Sequence, residues 1–596
     1  MAIETRILEL DSATVRAADS SSIDTQRQER SNKMPTSLES TASTSAARVD
    51  FDAIVIGAGF AGLYMLHRLR QLGLSARVYE RGGGVGGTWY WNRYPGARCD
   101  TESVTYSYSF SEPLEQEWVW TERYATQPEI LRYADHVADR FDLRSDIQLE
   151  TSVQSAVYDE ANSYWQVRTD RDEQVTARFV ISAMGCLSAA ALPDYPGLSD
   201  FSGELHHTGQ WPHEPIDFSG KRVGIIGTGS SGVQSTTAIA PQAAHLFVFQ
   251  RTPNYSVPAW NGPLEPATLD AHKANYREWR AASRYAQIGI PFESNDKSAK
   301  AVPPKERERD FEAAWADGGF NFVMAYPDLL TDLESNRTAA DFVARKIREK
   351  VDDPATAASL IPNDHPIGTK RMCVDTGYYE TFNRDNVTLV DIRKSELTHI
   401  TANGVQTTDG HYELDMLIFA TGFDAITGPL LKLDIRGRDG VRLQDKWADG
   451  PRTYLGLASA GFPNFFMITG PGSPCVLSNM LMSIEQHVEW IGECIQHMHE
   501  RGAVHVEAAA EAERDWVQTV HEVGHTTLYP MTKSWYTGTN IDGKIRMFTP
   551  YAGGVGTYRE ICEDVVANGY TGFVFGDADP QSQQVPELTA TQDPRR

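Results

Sequence analysis

Apolar runs are short in this chain. None of the 596 residues falls in a run near the ~18 consecutive apolar positions of a membrane-spanning helix, so no membrane partner is expected. The opening segment, MAIETRILELDSATVRAADSSS, carries acidic residues early and lacks the apolar stretch of a secretory signal. Cysteine is scarce and scattered: Cys99, Cys186, Cys373, Cys475, Cys494 and Cys562, with no CxxC. That spacing speaks against a redox dithiol and a zinc cluster. It suits a reducing compartment, so a cytoplasmic protein with no bound metal is expected. Positive charge is outnumbered too. With 55 Lys and Arg against 80 Asp and Glu, the formal net charge is −25. This argues against a nucleic-acid partner, whose phosphates need clustered cations.

What remains is a globular composition, 41% hydrophobic and 10% aromatic, in a chain too long for one core. Residues 1–50 stand apart. Ser, Thr, Ala, Arg and Asp dominate there, and SLESTASTSAARVD offers nothing to bury, so a disordered extension is expected. Residues 577–596 read as a flexible tail for the same reason.

Between these ends one pattern occurs twice. FDAIVIGAGFAGLYMLHRLRQLGLSARVYER and KRVGIIGTGSSGVQSTTAIAPQAAHLFVFQR share a layout. Each runs from a β-branched apolar stretch through a glycine-rich turn into an amphipathic helix and a second apolar stretch, which makes a βαβ unit. The expected fold class is α/β, with two Rossmann-like dinucleotide-binding domains. Short alternating segments from Ile147 to Gly185 read as strands returning to the first sheet. Charged, helix-periodic sequence at about 262–355 reads as a helical insert in the second domain. The expected organisation is the first part of the first domain at 51–190 and a second domain, insert included, at 191–390. The first domain then returns at 391–576, with a wall of the substrate pocket.

Gly57, Gly59 and Gly62 form GxGxxG between strand and helix. Glycine permits the tight turn and a close backbone approach to a pyrophosphate, and the helix N-terminus then faces the phosphates. Glu80, ending the next strand, can accept hydrogen bonds from ribose hydroxyls. The second set is Gly227, Gly229 and Gly232, with Thr228, Ser230, Ser231 and Gln234 as the polar cofactor-binding candidates around it. At the place matching Glu80 stands Gln250, followed by Arg251 and Thr252. A carboxylate there would repel a 2′-phosphate, whereas a neutral residue followed by arginine welcomes it. The first loop therefore suits FAD and the second NADPH, and two such sites in one chain point to electron transfer between them. A disulfide reductase shares this layout but needs the redox cysteine pair that is absent here.

GGTWYWNRYPGARCDTES, Gly86 to Ser103, follows the first unit. Gly86-Gly87-Thr88-Trp89, Tyr94-Pro95-Gly96 and Asp100 resemble one fingerprint of type I Baeyer–Villiger monooxygenases. Phe201, Gly203, His207, Trp211 and Pro212 give FxGxxxHxxxWP, which resembles the other. The strings NRYPGARCD, FVFQRTPNYSVPA, GPRTYLGL and SWYTGTN are most similar to the phenylacetone and steroid monooxygenase branch, and the likeness spans about residues 51–575.

The resemblance implies conversion of a ketone and O2 to an ester or lactone through a C4a-peroxyflavin. It places Arg371 of HPIGTKRMCVD as the cation that stabilises the developing anion, with Asp100 holding it and both contacting the cofactors. Arginine suits that role because it cannot give up its proton. Lys370 would join Arg251 at the 2′-phosphate. Thr88, Trp89, Tyr106 and Met480 would meet the flavin, and Trp535 the NADP. His207 would be a hydrogen-bonding strut in a linker between the domains. A nitrogen- or sulfur-oxidising flavin monooxygenase is the alternative, and an NADP-sensing protein on the same fold a further one. The chain is expected to act as a monomer. Removing residues 2–45 is expected to leave FAD binding and NADPH oxidation near wild type, because that composition supports no core. Flavin absorbance per mole of protein checks this, and an insoluble or flavin-free product would contradict it.

Overall fold

The computed structural model describes residues 49–292 and 294–577. The expected disordered extension and tail lie, but for their edges, outside the described residues. Six strands form the body of the first sheet: Phe51–Ile56 (β1), Ala76–Tyr79 (β2), Ile147–Gln148 (β3), Val153–Asp159 (β4), Tyr164–Thr169 (β5) and Gln174–Ser182 (β6). Their spatial order is β4-β5-β6-β1-β2-β3. Strands β6, β1, β2 and β3 pair in parallel, and β4 and β5 return as antiparallel hairpins. In β1, Ala53 and Val55 enter one core while Ile54 and Ile56 enter another. That is the two-residue period of a strand covered on both faces.

The second sheet is wholly parallel. It takes Glu204–His207 (β7), Arg222–Ile226 (β8), His245–Gln250 (β9), Val387–Asp391 (β10) and Met416–Phe419 (β11), in the order β10-β9-β8-β11-β7. This corrects the expected boundary at 390. The apolar strings VTLVDI and LDMLIFATGF supply β10 and β11, which pair with β9, β8 and β7, so the second domain runs to Phe419. The chain returns to the first sheet only with Asp434–Arg436 (β12), beside β4, and Phe465–Met467 (β13), beside β6. A buried parallel strand reads alike whichever sheet it joins, and only pairing separates them. The expected linker is also partly strand, because β7 lies within the string FSGELHHTGQWP and forms the edge of the second sheet.

The helical insert is shared between the domains. Its helices Pro266–Ala274 and Tyr276–Tyr285 put Leu269 and Tyr276 into the first domain's core. Helices Pro304–Asp317 and Leu333–Lys350 put Phe311, Trp315 and Phe342 into the second. Helical periodicity announces an apolar stripe but not the core that receives it.

Three helices position the site: Phe60–Gln71 (α1), Ser230–Ile239 (α2) and Met480–Glu500 (α3). Leu63, Leu66 and Leu69, each three residues apart on α1, are fully buried, and each contributes ~1.5–3 kcal/mol. The start of α3 is tied to the first domain. The Asn479 side chain caps the helix by accepting from the Leu481 N–H at 3.2 Å and donates to the Thr105 carbonyl at 2.8 Å. Buried Glu485 accepts from the Ser109 N–H at 2.6 Å, the Ser109 hydroxyl at 2.6 Å and the Phe110 N–H at 3.0 Å.

Burial pushes the Glu485 carboxyl up to about 7 from an ordinary 4.5, although its hydrogen bonds favour the charged form. The folded state thus holds this proton more tightly than the unfolded chain. Its stabilising contribution is full below pH ~4.5 and is lost as pH rises through 7. Wild type is expected to lose up to ~3 kcal/mol relative to Glu485→Gln between pH 5 and 8. Chemical denaturation of both proteins across that range checks it, and parallel curves would contradict it.

Candidate active site

The two glycine loops are built alike. Gly57 and Gly227 have φ of +104° and +116°, in the region that favours glycine. A Cβ on Gly57 would lie 2.7 Å from the Ala183 carbonyl oxygen, and one on Gly227 2.4 Å from that of Ala420. A Cβ on Gly62 would come 1.9 Å from the Gly57 oxygen, and one on Gly232 2.1 Å from the Gly227 oxygen. Each loop is therefore packed backbone on backbone, with no room for a side chain. Helices α1 and α2 follow with Gly59 and Gly229 at their N-caps and no side-chain cap on either. Their first N–H groups remain available to phosphate oxygens.

In the first loop, Gly59 faces the second glycine pair, since a Cβ on Gly87 would lie 2.8 Å from the Gly59 Cα. Glu80 is buried, and its carboxylate accepts from the N–H groups of Ala58 and Gly82, both at 2.8 Å. It thus pins the loop to the end of β2, where a ribose would meet it. Thr88 is exposed at the start of the turn Thr88–Trp91. Trp89 is buried, donates its indole N–H to the Tyr106 hydroxyl at 3.2 Å, and meets the Tyr106 ring edge-on. Tyr106 in turn packs edge-on against Phe60, the first residue of α1. Met480, first in α3, is half-buried beside Cys475 and Val476. Apolar rings, small backbone and a positioned acid are a donor set that fits a flavin dinucleotide.

In the second loop a Cβ on Gly229 would meet nothing within 4 Å, so the loop opens there. The Thr228 hydroxyl donates to the Thr252 carbonyl at 2.6 Å, tying the loop to the segment after β9. Ser230 and Ser231 begin α2, and the Ser230 hydroxyl lies 3.9 Å from the Cys373 sulfur. Gln234 points elsewhere. It accepts from the Tyr94 hydroxyl at 2.9 Å and donates to the Arg98 carbonyl at 3.2 Å, joining the two domains.

Arg251 is exposed and Lys370 half-buried. Neither forms an ion pair with a described residue. Burial lowers the Lys370 ammonium, Asp364 opposes that, and the Arg251 cation lowers it further. Two cations held close enough to repel one another, beside an open glycine loop, fit a phosphate monoester.

Between the loops Arg371 meets Asp100. Its Nε and Nη2 donate to the two carboxylate oxygens, each at 2.7 Å, and Nη1 donates to the Val476 carbonyl at 2.8 Å. The guanidinium also stands 5.2 Å over the Phe320 ring. Burial works against the cation, but Asp100 outweighs it and holds the guanidinium above its ordinary range. Arg371 is therefore charged at every working pH. Burial pushes the neighbouring Tyr536 phenol up to about 12, against the pull of Arg371, so it stays protonated. Trp535 packs on Tyr536 with ring centroids 4.3 Å apart. His207 is buried, its Nδ1 accepts from the Gly209 N–H at 3.0 Å, and burial lowers its pKa. It is a neutral strut at the edge of the second sheet.

Sequence reasoning missed three residues here. Phe320 lies in the insert and Asn254 in the segment after β9, where the amide donates to the Arg371 carbonyl at 3.0 Å. Neither carries a local signal. Tyr536 adjoins Trp535 in SWYTGTN, so that string could have pointed to it.

A family model described as pyridine nucleotide-disulphide oxidoreductase matches residues 54–290. The chain is 46% identical over 538 residues to a Baeyer-Villiger monooxygenase of Pseudooceanicola batsensis, covering 90% of this chain and 98% of that one. It is 44% identical over 539 residues to the phenazine N-monooxygenase PhzNO1 of Lysobacter antibioticus, with the same coverage. Among solved structures, an oxidised steroid monooxygenase bound to NADP matches with a TM-score of 0.85 and 53% identity, covering 89% of this chain and 100% of that one. The OTEMO complex with FAD and NADP matches with a TM-score of 0.86 and 42% identity, again over 89% and 100%.

Arg251→Ala is expected to raise KM for NADPH about 10- to 100-fold, the worth of one charge-assisted hydrogen bond. KM for NADH should barely change. Steady-state kinetics with both nucleotides check this, and equal effects would place Arg251 away from the 2′-phosphate.

Proposed function

The chain belongs to the Baeyer–Villiger monooxygenase family, and from that premise we propose that it converts ketones to esters or lactones, using FAD, NADPH and O2. The observation that carries this reading is the bidentate Arg371–Asp100 pair between the two dinucleotide loops. We assign FAD to the first loop, with Glu80, Thr88, Trp89, Tyr106 and Met480. NADP goes to the second, with Thr228, Gly229, Ser230, Ser231, Gly232, Arg251, Thr252, Lys370 and Trp535, and without Gln234, whose amide is engaged by Tyr94 and Arg98. When bound, the flavin supplies the passage of electrons from NADPH to O2.

The chain's own part is to hold charge and exclude water. Arg371 offers a cation that neither Asp100 nor solvent discharges. Three of its five N–H donors are committed to Asp100 and Val476. The rest can meet an oxygen that gains negative charge as the ketone reacts. Such preorganised donors are worth most where water is excluded, and buried Cys186, Ile426, Cys475, Val476 and Tyr536 form an apolar wall beside Arg371. A lysine could not replace it, because an ammonium lacks the two-pronged fork that Asp100 grips and can release its proton.

We further assign the protein to the cytoplasm, a reading supported by six free, buried cysteines. Its net charge of −25 supports a monomer. The phenazine N-monooxygenase relative favours a second reading, oxygen transfer to nitrogen. Product analysis with a ketone and an aromatic N-heterocycle separates the two. Arg371→Ala and Arg371→Lys are both expected to bind FAD and consume some NADPH while ester per NADPH falls at least ~100-fold. Quantifying ester and NADPH together measures this, and near-wild-type yields in Arg371→Ala would remove the residue from the mechanism.

A further inference from the structure

Two cysteines from distant parts of the chain meet beside Arg371, and no step above uses them. Cys186 follows β6, just beyond Ala183, whose carbonyl closes on Gly57. Cys475 opens the short turn Cys475–Leu477 and adjoins Val476, whose carbonyl accepts from Arg371 at 2.8 Å. Both belong to the apolar cluster of Ile426, Val476 and Tyr536. The Ile426 N–H donates to the Cys186 carbonyl at 2.8 Å, which fixes Cys186 in that wall. There the two thiols hydrogen-bond each other. Cys475 also holds a φ of +47°, a left-handed conformation that side chains seldom take. Strain of this kind gathers at functional sites.

The pair is reduced, and its members are not equivalent. Cys186 keeps 6% of its surface exposed and Cys475 none. The hydrogen bond from Cys475 holds the Cys186 thiol below its ordinary range, and the Arg371 cation adds to that. Cys475, the donor, is held well above its own. Burial pushes Cys99, Cys373, Cys494 and Cys562 up. Cys186 is thus the one cysteine of the six that favours the thiolate, which is the nucleophile. A reachable thiol of this kind beside a sheltered second thiol is the arrangement that peroxide oxidises reversibly.

Resting on the O2-using reading, we infer that Cys186 and Cys475 form a modification site for hydrogen peroxide, the product released when O2 takes electrons from NADPH and no ketone receives oxygen. The Cys186 thiolate attacks one peroxide oxygen. An S–O bond forms, the O–O bond breaks, and the departing hydroxide takes a proton and leaves as water. Cys475 then attacks the Cys186 sulfur. An S–S bond forms, the S–O bond breaks, and the Cys475 proton leaves with the hydroxide as a second water. The two sulfurs together lose two electrons, and one peroxide gains them. The new bond draws Cys475 toward Cys186 and with it the Val476 carbonyl that steadies Arg371. Oxidation of the pair therefore slows ester formation until a thiol reductant reverses it.

The test uses the FAD-loaded enzyme, reduced, desalted and exposed to hydrogen peroxide without NADPH. Mass mapping without reductant should find the Cys186 and Cys475 peptides joined and two hydrogens lighter, and dithiothreitol should part them. Dimedone, which caps sulfenic acids, should label Cys186 in Cys475→Ser and no cysteine in Cys186→Ser. Flavin absorbance reports whether each variant is folded, and the wild-type map decides the pairing should either fail to load flavin. Ester formation should fall ~10-fold or more in oxidised wild type, the scale of a misplaced catalytic group, and return with dithiothreitol. NADPH and air without ketone should join the same peptides, and NADPH without air should not. Separate peptides after peroxide, dimedone on a cysteine other than Cys186 in Cys475→Ser, or ester formation unchanged by the joined pair would overturn the site. If NADPH and air gave neither ester nor peroxide, the O2-using reading would fall, and the map with added peroxide alone would decide the thiol pair.

Discussion

Asp100 and Arg371 lie 271 residues apart in the chain and meet through two bonds of 2.7 Å. Their side chains are only 16% and 26% exposed. In such a setting the attraction offsets desolvation only while both partners are present, and removing either strands the other charge at a cost of several kcal/mol. The pair also draws together segments from both domains. Asp100 ends the aromatic loop of the first, and Arg371 follows the insert of the second. The Tyr94–Gln234, Gln234–Arg98 and Asn254–Arg371 hydrogen bonds run along the same seam. The Arg371 guanidinium is therefore built into the contact that sets the two dinucleotide loops against each other.

Both loops obey one backbone rule. The first glycine of each turns against the carbonyl just past the end of the strand alongside, and the third closes on the first. The middle glycines differ. Gly59 faces Gly87, whereas Gly229 faces open space. The first loop is therefore enclosed by its own domain and suits a cofactor that stays. The second is open, and the Arg251 cation lowers the pKa of Lys370.

The insert has a similar double character. Leu269 and Tyr276 serve the first core, and Phe311, Trp315 and Phe342 the second. Phe320 comes from the same insert and stands under Arg371. A segment that looks like decoration on one domain thus supports both and supplies part of the site between them.

Local chemistry was legible in the sequence wherever a residue type answers to its neighbours. GxGxxG needs glycine for reasons confined to a turn, Glu80 and Arg251 differ in how each treats a phosphate, and arginine rather than lysine belongs beside a developing anion. The alternation that places Ile54 and Ala53 on opposite faces is equally local. What the sequence did not carry is which partner each segment chooses. Strands β10 and β11 are apolar on both faces and would read the same in either sheet, so their membership rests on pairing. Gln234 has the position of a cofactor ligand, yet its amide joins two domains. Phe320 and Asn254 have no motif at all. The chain by itself determined its folding units and the chemistry of its loops, because turns, periodicity and charge act over a few residues. Only the tertiary structure decided the seam and the Arg371–Asp100 pair, because those depend on contacts between residues hundreds of positions apart.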